Sequence, residues 1–159
     1  MLSVRPVTEA DVPTVHAMIA ELAEFELLTH EVVATAEDTR RALFGSSPSA
    51  AALIAEVGGN AAGFALFYPF YSTFAGRQGL YLEDLYVRPA FRKGGVGRAL
   101  VNGFLQAARE RQAPKVEWRV LRWNENAIRF YRSLGATLLD DWAPVRLVLG
   151  TEGSPPPRP

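Results

Sequence analysis

Tyr81-Leu82-Glu83-Asp84-Leu85-Tyr86-Val87-Arg88-Pro89 runs through two further residues into Arg92-Lys93-Gly94-Gly95-Val96-Gly97. Leu80 to Val87 reads as a strand, rich in apolar and aromatic residues, that Pro89 ends. From about Gly95 to Arg111 the apolar residues recur at helical spacing, which predicts a long amphipathic helix. Glycines between a strand and a helix let the backbone turn tightly and gather several N–H groups at one point. The helix adds the positive end of its dipole, so a phosphate fits there, with Arg92, Lys93 and Arg98 as countercharge. Taken alone, the six residues suit an ordinary surface turn equally well, because such short patterns recur by chance. A P-loop requires Gly-Lys-Ser/Thr after its spacer, and a dinucleotide fold requires Gly-x-Gly-x-x-Gly near the first strand. Neither pattern occurs.

Working outward, Leu2 to Arg5 alternates as a short strand ending at Pro6. Thr8 or Asp11 caps the helix that follows, whose apolar stripe is Val12, Val15, Ile19 and Leu22. Pro13 is tolerated only near its start and predicts an irregular first turn. Thr35-Ala36-Glu37-Asp38 opens a second, short helix that stops near Gly45. Ala50 to Val57 and Ala62 to Tyr71 form two strands joined at Gly58-Gly59-Asn60. A loop, Ser72 to Gly79, precedes the strand already described. Lys115 to Leu121 alternates as a strand. Asn124 caps a helix running to about Leu134 and closed by Gly135. Ala136 to Leu139 and Val145 to Leu149 are expected to complete the sheet as two strands. Hairpins early and strand-helix-strand crossovers later imply a mixed α/β sheet. Residues 1–149 are read as one domain, and 150–159, ending Ser-Pro-Pro-Pro-Arg-Pro, as a flexible tail.

Composition limits the chemistry. The 159 residues suit one hydrophobic core, with 48% apolar and 21% charged residues. Formal net charge is zero, so no global attraction to nucleic acid or an anionic membrane is expected. There is no cysteine, which excludes disulfides, thiolate zinc sites and a cysteine nucleophile. His16 and His30 are the only histidines, too few and too far apart to predict a histidine metal site or a Ser-His-Asp triad. No metal is expected, with ion binding by carboxylates alone left open. The start, Met1 to Arg5, lacks the apolar core of a signal peptide, and no apolar run is long enough to span a bilayer. A cytoplasmic location is expected.

The two quoted stretches, together with Trp123-Asn124-Glu125-Asn126-Ala127-Ile128-Arg129-Phe130-Tyr131-Arg132-Ser133-Leu134-Gly135 downstream, resemble the GNAT superfamily of N-acetyltransferases. Its acetyl-CoA loop follows Arg/Gln-x-x-Gly-x-Gly/Ala. The opening, Val4-Arg5-Pro6 followed by Thr8-Glu9-Ala10-Asp11, is similar too, and the resemblance covers about residues 2 to 149. Within the superfamily the chain resembles the spermidine/spermine and thialysine acetyltransferase group through Glu21-Leu22-Ala23-Glu24-Phe25-Glu26, Tyr71-Ser72-Thr73-Phe74, Tyr81-Leu82-Glu83-Asp84 and Trp123-Asn124-Glu125. The implied fold is a mixed, largely antiparallel sheet flanked by helices, with a splayed acetyl-CoA cleft.

The resemblance also implies roles. Leu85, Tyr86 and Val87 would hold the pantetheine arm through their backbone, and the amides of Arg92, Lys93, Gly94, Gly95, Val96 and Gly97, with Arg98 nearby, would hold the pyrophosphate. Asn124 matches a residue that contacts the coenzyme, a role compatible with capping because a cap uses only the side-chain oxygen. Tyr131 matches the tyrosine that protonates the departing thiolate. On residue type alone Phe130 and Tyr131 are both packing candidates; adjacent helical positions do not share a face, and the core role falls to Phe130. Glu83 matches a glutamate that removes the amine proton. Such a base is needed because an alkylammonium, with an ordinary pKa of about 10.4, has no lone pair. Glu83 and Asp84 point to opposite faces unless a bulge intervenes, and Glu83 ranks first as base.

Glu26 matches an acidic position that contacts polyamine, though a solvated helix-end glutamate reads nearly as well. Phe74 matches an aromatic position near the amine tunnel, where a ring can pack on methylenes or face a cation; simple loop packing is at least as good a reading. The chain departs from the polyamine pattern at Ser72, where those enzymes carry an acidic residue, and at Phe74, which stands for tryptophan. The expected partners are therefore acetyl-CoA and a small amine, a diamine, polyamine or thialysine-like amino acid, attacking the thioester directly in a ternary complex. A homodimer follows from the resemblance only. Two alternatives stand beside this: a peptide or protein N-acetyltransferase, and a non-catalytic acyl-CoA-binding module.

Overall fold

Five strands form one sheet in the order of the sequence: β1 (Leu2–Pro6), β2 (Ala51–Val57), β3 (Asn60–Ser72), β4 (Arg77–Val87) and β5 (Val116–Trp118). The first four pair antiparallel through hairpins; β5 joins β4 in parallel. A parallel neighbour requires a crossover, which α3 (Val96–Glu110) supplies. The other helices are α1 (Val12–Phe25), α2 (Ala36–Phe44) and α4 (Glu125–Ser133). The computed structural model describes residues 1–149, in two compact units, Met1–Arg119 and the residues from Val120 onward. The mixed, mostly antiparallel sheet is the fold class expected from the sequence.

The first unit has two apolar layers, one on each face of its sheet. Residues 65, 67, 80 and 82 pack against Leu100 and Phe104 of α3, with the Phe67 and Phe104 rings 5.2 Å apart and tilted by 57°. Removing either ring costs about 3–5 kcal/mol. Ile54, Phe64 and Tyr86 project the other way, onto Val15 and Met18 of α1 and Leu43 of α2. The irregular start of α1 is a 3-10 turn, Glu9–Asp11, closed by a Thr8–Asp11 capping box. A second box, Thr35 with Asp38, opens α2. The Arg88 guanidinium donates to both Glu21 carboxylate oxygens at 2.7 to 3.1 Å and fastens α1 to the end of β4.

Four expectations are corrected. Ser72 to Gly79 is no long loop: β3 and β4 pair as far as Ser72 and Arg77, leaving a four-residue turn. Gly79 makes this possible, because a Cβ there would lie 2.5 Å from the Phe70 ring that crosses it. Next, β5 is three residues long and stops at Trp118, opposite Leu82, where β4 leaves its regular pleat. Ala136 to Leu139 and Val145 to Leu149 form no strands. A strand exists through its neighbour's hydrogen bonds, and alternation without a ladder partner leaves Leu139, Val145 and Leu147 exposed. Finally, Phe130 is half-buried rather than core, because α4 buries none of its residues fully. The expected tail, 150–159, lies outside the described residues.

Candidate active site

The site begins with an irregularity in β4. Leu82 pairs with Phe67 and Asp84 with Leu66, so Glu83 is an extra residue with no partner on β3. Leu82 and Leu85 belong to the α3 face and Tyr86 to the α1 face. An inserted residue shifts the alternation by one, so Glu83 and Asp84, adjacent in sequence, share the α1 face. Their carboxylates interact, and Glu26, just beyond the end of α1, adds a third negative charge. Burial first, then Glu83 and Glu26, push the Asp84 carboxyl up to about 7. Burial alone raises Glu26 above the ordinary carboxylate range. A group that exchanges its proton near neutrality is matched to acid–base work on an amine.

The same bulge ends the pairing with β5, so from Glu83 to Val87 the second edge of β4 has no strand beside it among the described residues. The backbone of Leu85, Tyr86 and Val87 therefore lies along an opening in the sheet. Beyond it a 3-10 turn, Pro89–Phe91, delivers the chain to the glycine loop. Lys93 and Gly95 both have positive φ, 64° and 82°. Ala99 is the first amide of α3 to reach a carbonyl, that of Gly95 at 2.9 Å, and no side chain caps the helix. The amides of Val96 and Gly97 thus end the helix with no acceptor among the described residues. Nothing lies within 4 Å of where a Gly95 Cβ would stand, so the space beside Gly95 is open. Free amides, an open approach and a helix N-terminus fit a diphosphate.

Arg92 behaves differently from the simple countercharge that the sequence implied. Its Nε–H donates to the Val87 carbonyl at 2.9 Å, and its guanidinium lies 4.8 Å from the centre of the Phe25 ring and 5.8 Å from that of Tyr86. Lys93 and Arg98 are exposed beside the loop. Phe74 stands fully exposed in the β3–β4 turn, without a ring or cation contact among the described residues.

Three further side chains face this region and were not picked out by spacing. Tyr68 and Tyr81 are opposite one another across β3 and β4, their rings stacked with centroids 5.3 Å apart. Arg119, just past β5, donates its Nε–H to the Tyr81 hydroxyl at 2.8 Å. Burial and then the Glu83 charge raise the Tyr68 phenol, and burial raises Tyr81. Period-2 alternation through Tyr68 and Tyr81 was the available signal, but only the register between strands pairs them.

Two predicted residues belong to the second unit. Asn124 caps α4, its Oδ1 accepting from the Ala127 amide at 3.1 Å, and the side-chain amide group keeps its donors. Tyr131 is half-buried on α4, with its ring centroid 5.4 Å from that of Phe130.

A carboxyl group poised near neutrality, an open sheet edge and a glycine loop at a helix N-terminus are features that an acyl-CoA-dependent transferase can use. Residues 17–136 match the sequence profile of the acetyltransferase (GNAT) family, and the chain belongs to that family of N-acetyltransferases. GNAT enzymes use acetyl-CoA. A thialysine N-epsilon-acetyltransferase of Caenorhabditis elegans is 44% identical over 72% of this chain and 70% of its own length. The L-ornithine N5-acetyltransferase NATA1 of Arabidopsis thaliana is 30% identical over 91% and 83%. In fold, an aminoglycoside acetyltransferase from a soil metagenome superposes with a TM-score of 0.79 over 94% of this chain and 97% of its own, at 18% identity.

Proposed function

We propose that this enzyme moves the acetyl group of acetyl-CoA onto the primary amine of a small molecule, a diamine, a polyamine or a thialysine-like amino acid, by direct attack in a ternary complex. The observation that carries this reading is the bulge that turns Glu83 and Asp84 toward one face, with Glu26 close by. Three carboxylates suit an alkylammonium, and a carboxyl titrating near 7 suits its deprotonation. In this reading Glu83 takes the amine proton first, and Asp84, whose carboxyl titrates near 7, receives it in turn and helps hold the cation. The freed lone pair forms the N–C bond, the C–S bond breaks, and Tyr131 gives its phenolic proton to the coenzyme thiolate. Leu85 to Val87 hold the pantetheine arm along the open edge of β4. The amides of 92–97 hold the diphosphate, and the Asn124 amide group contacts the coenzyme.

The relatives support a small acceptor, since their names specify thialysine and ornithine. Placement in one domain, a homodimer and a cytoplasmic setting belong to the same proposal. A thiol-release assay with acetyl-CoA against diamines, polyamines, thialysine, ornithine and peptides tests it. Turnover of a free amine is the expected result. Turnover of peptides alone, or binding of acetyl-CoA with no turnover, sinks it.

A further inference from the structure

Resting on the small-amine reading, we infer that Arg119, held by Tyr81, recognises a carboxylate on the acceptor, so that the enzyme selects an ω-amino acid over the diamine or polyamine of equal reach. The arginines Arg5, Arg40, Arg41 and Arg88 each bond a carboxylate of the chain at 3.3 Å or less. Arg119 does not. Among the described residues its hydrogen bond goes to a neutral phenol, and no carboxylate lies within ion-pair distance. That bond uses Nε–H and leaves both terminal amino groups of the fork, which together match the two oxygens of a carboxylate.

Arg119 is exposed, but its guanidinium is tethered. Tyr81 accepts its Nε–H at 2.8 Å, and the Tyr81 ring is itself stacked on Tyr68, which sits directly across the ladder. Glu83 lies within electrostatic reach of both Tyr68 and Arg119. The face thus carries both signs: the carboxylates of Glu26, Glu83 and Asp84, and a guanidinium fixed on the Tyr81 hydroxyl with no carboxylate of its own. A zwitterion with an amine for the carboxylates and a carboxylate for Arg119 complements both signs. A second ammonium brought to Arg119 would be repelled.

The test compares matched pairs, ornithine with putrescine and lysine with cadaverine, in the wild type and in Arg119→Gln, Arg119→Lys and Arg119→Glu. The wild type should favour each amino acid in kcat/KM. Arg119→Gln should lower kcat/KM for the amino acids by about 10- to 100-fold, as loss of a charged hydrogen bond implies, and raise it a few-fold for the diamines, which no longer meet a like charge. Arg119→Lys should retain part of the preference, and Arg119→Glu should reverse it. An amino acid-to-diamine ratio that is the same in wild type and Arg119→Gln overturns the inference. Calorimetric binding of ornithine and putrescine to the same proteins gives that ratio without turnover. An inactive wild type would therefore count against the catalytic reading while the carboxylate assignment is still decided.

Discussion

The Arg92 guanidinium rests 4.8 Å from the centre of the Phe25 ring, joining the first residue of the glycine loop to the last residue of α1. Glu26 follows immediately, so the loop expected to hold the coenzyme and the helix end expected to hold the amine share one contact. An exposed cation–π pair contributes about 0.5–1 kcal/mol. Phe25→Ala should therefore cost about that much stability and raise KM for acetyl-CoA a few-fold. A double-mutant cycle with Arg92→Met checks it, and strictly additive effects on acetyl-CoA affinity would refute the coupling.

Gly95 bears on the loop alone. An L-residue at its φ of 82° costs roughly 1–2 kcal/mol, and an aspartate would add a negative charge on the open side of the loop. Gly95→Asp should remain folded by circular dichroism and show no calorimetric binding of acetyl-CoA. Retained affinity would contradict the phosphate assignment.

Tyr131→Phe removes only the phenolic proton. Turnover should fall by about 10- to 10⁴-fold while acetyl-CoA still binds, the usual range for general acid catalysis. Unchanged kcat would take Tyr131 out of the mechanism.

The raised Asp84 pKa has two consequences with opposite signs. The folded state holds this proton up to about pH 7, whereas an unfolded chain releases it near 3.8. The group's contribution to stability is thus complete below pH 3.8 and declines as pH rises to about 7. Asp84→Asn should therefore be more stable than the wild type at pH 8, by roughly 1–3 kcal/mol in denaturant unfolding, with the gap closing toward pH 4. In activity, kcat/KM should climb with pH through about 7 in the wild type. If Asp84→Asn keeps that limb, another group carries it.

Much of this architecture was readable from local pattern. The two capping boxes, the Gly58-Gly59 hairpin, the proline stops and the amphipathic α3 all follow from neighbours within a few residues. What escaped depends on partners far away in sequence. No alternation rule reveals that Glu83 is supernumerary, because the bulge is defined by Leu66 and Phe67 on another strand. The Tyr68–Tyr81–Arg119 group is likewise a product of register. The two missing strands beyond Ala136 failed for the converse reason: their pattern was right, but no ladder receives them among the described residues. Among the predicted site residues, Glu26, Glu83 and Asp84 come together, whereas Phe74 stands apart in an exposed turn.

Because Glu83 is the one residue of β4 that β3 does not count, the lengths of these two strands can differ by one without disturbing either apolar layer. A single-codon deletion of Glu83 should leave Leu82 and Asp84 in consecutive pairs, and a protein that melts within about 5 °C of the parent yet no longer acetylates. Folding and chemistry would thereby answer to different letters of the same segment.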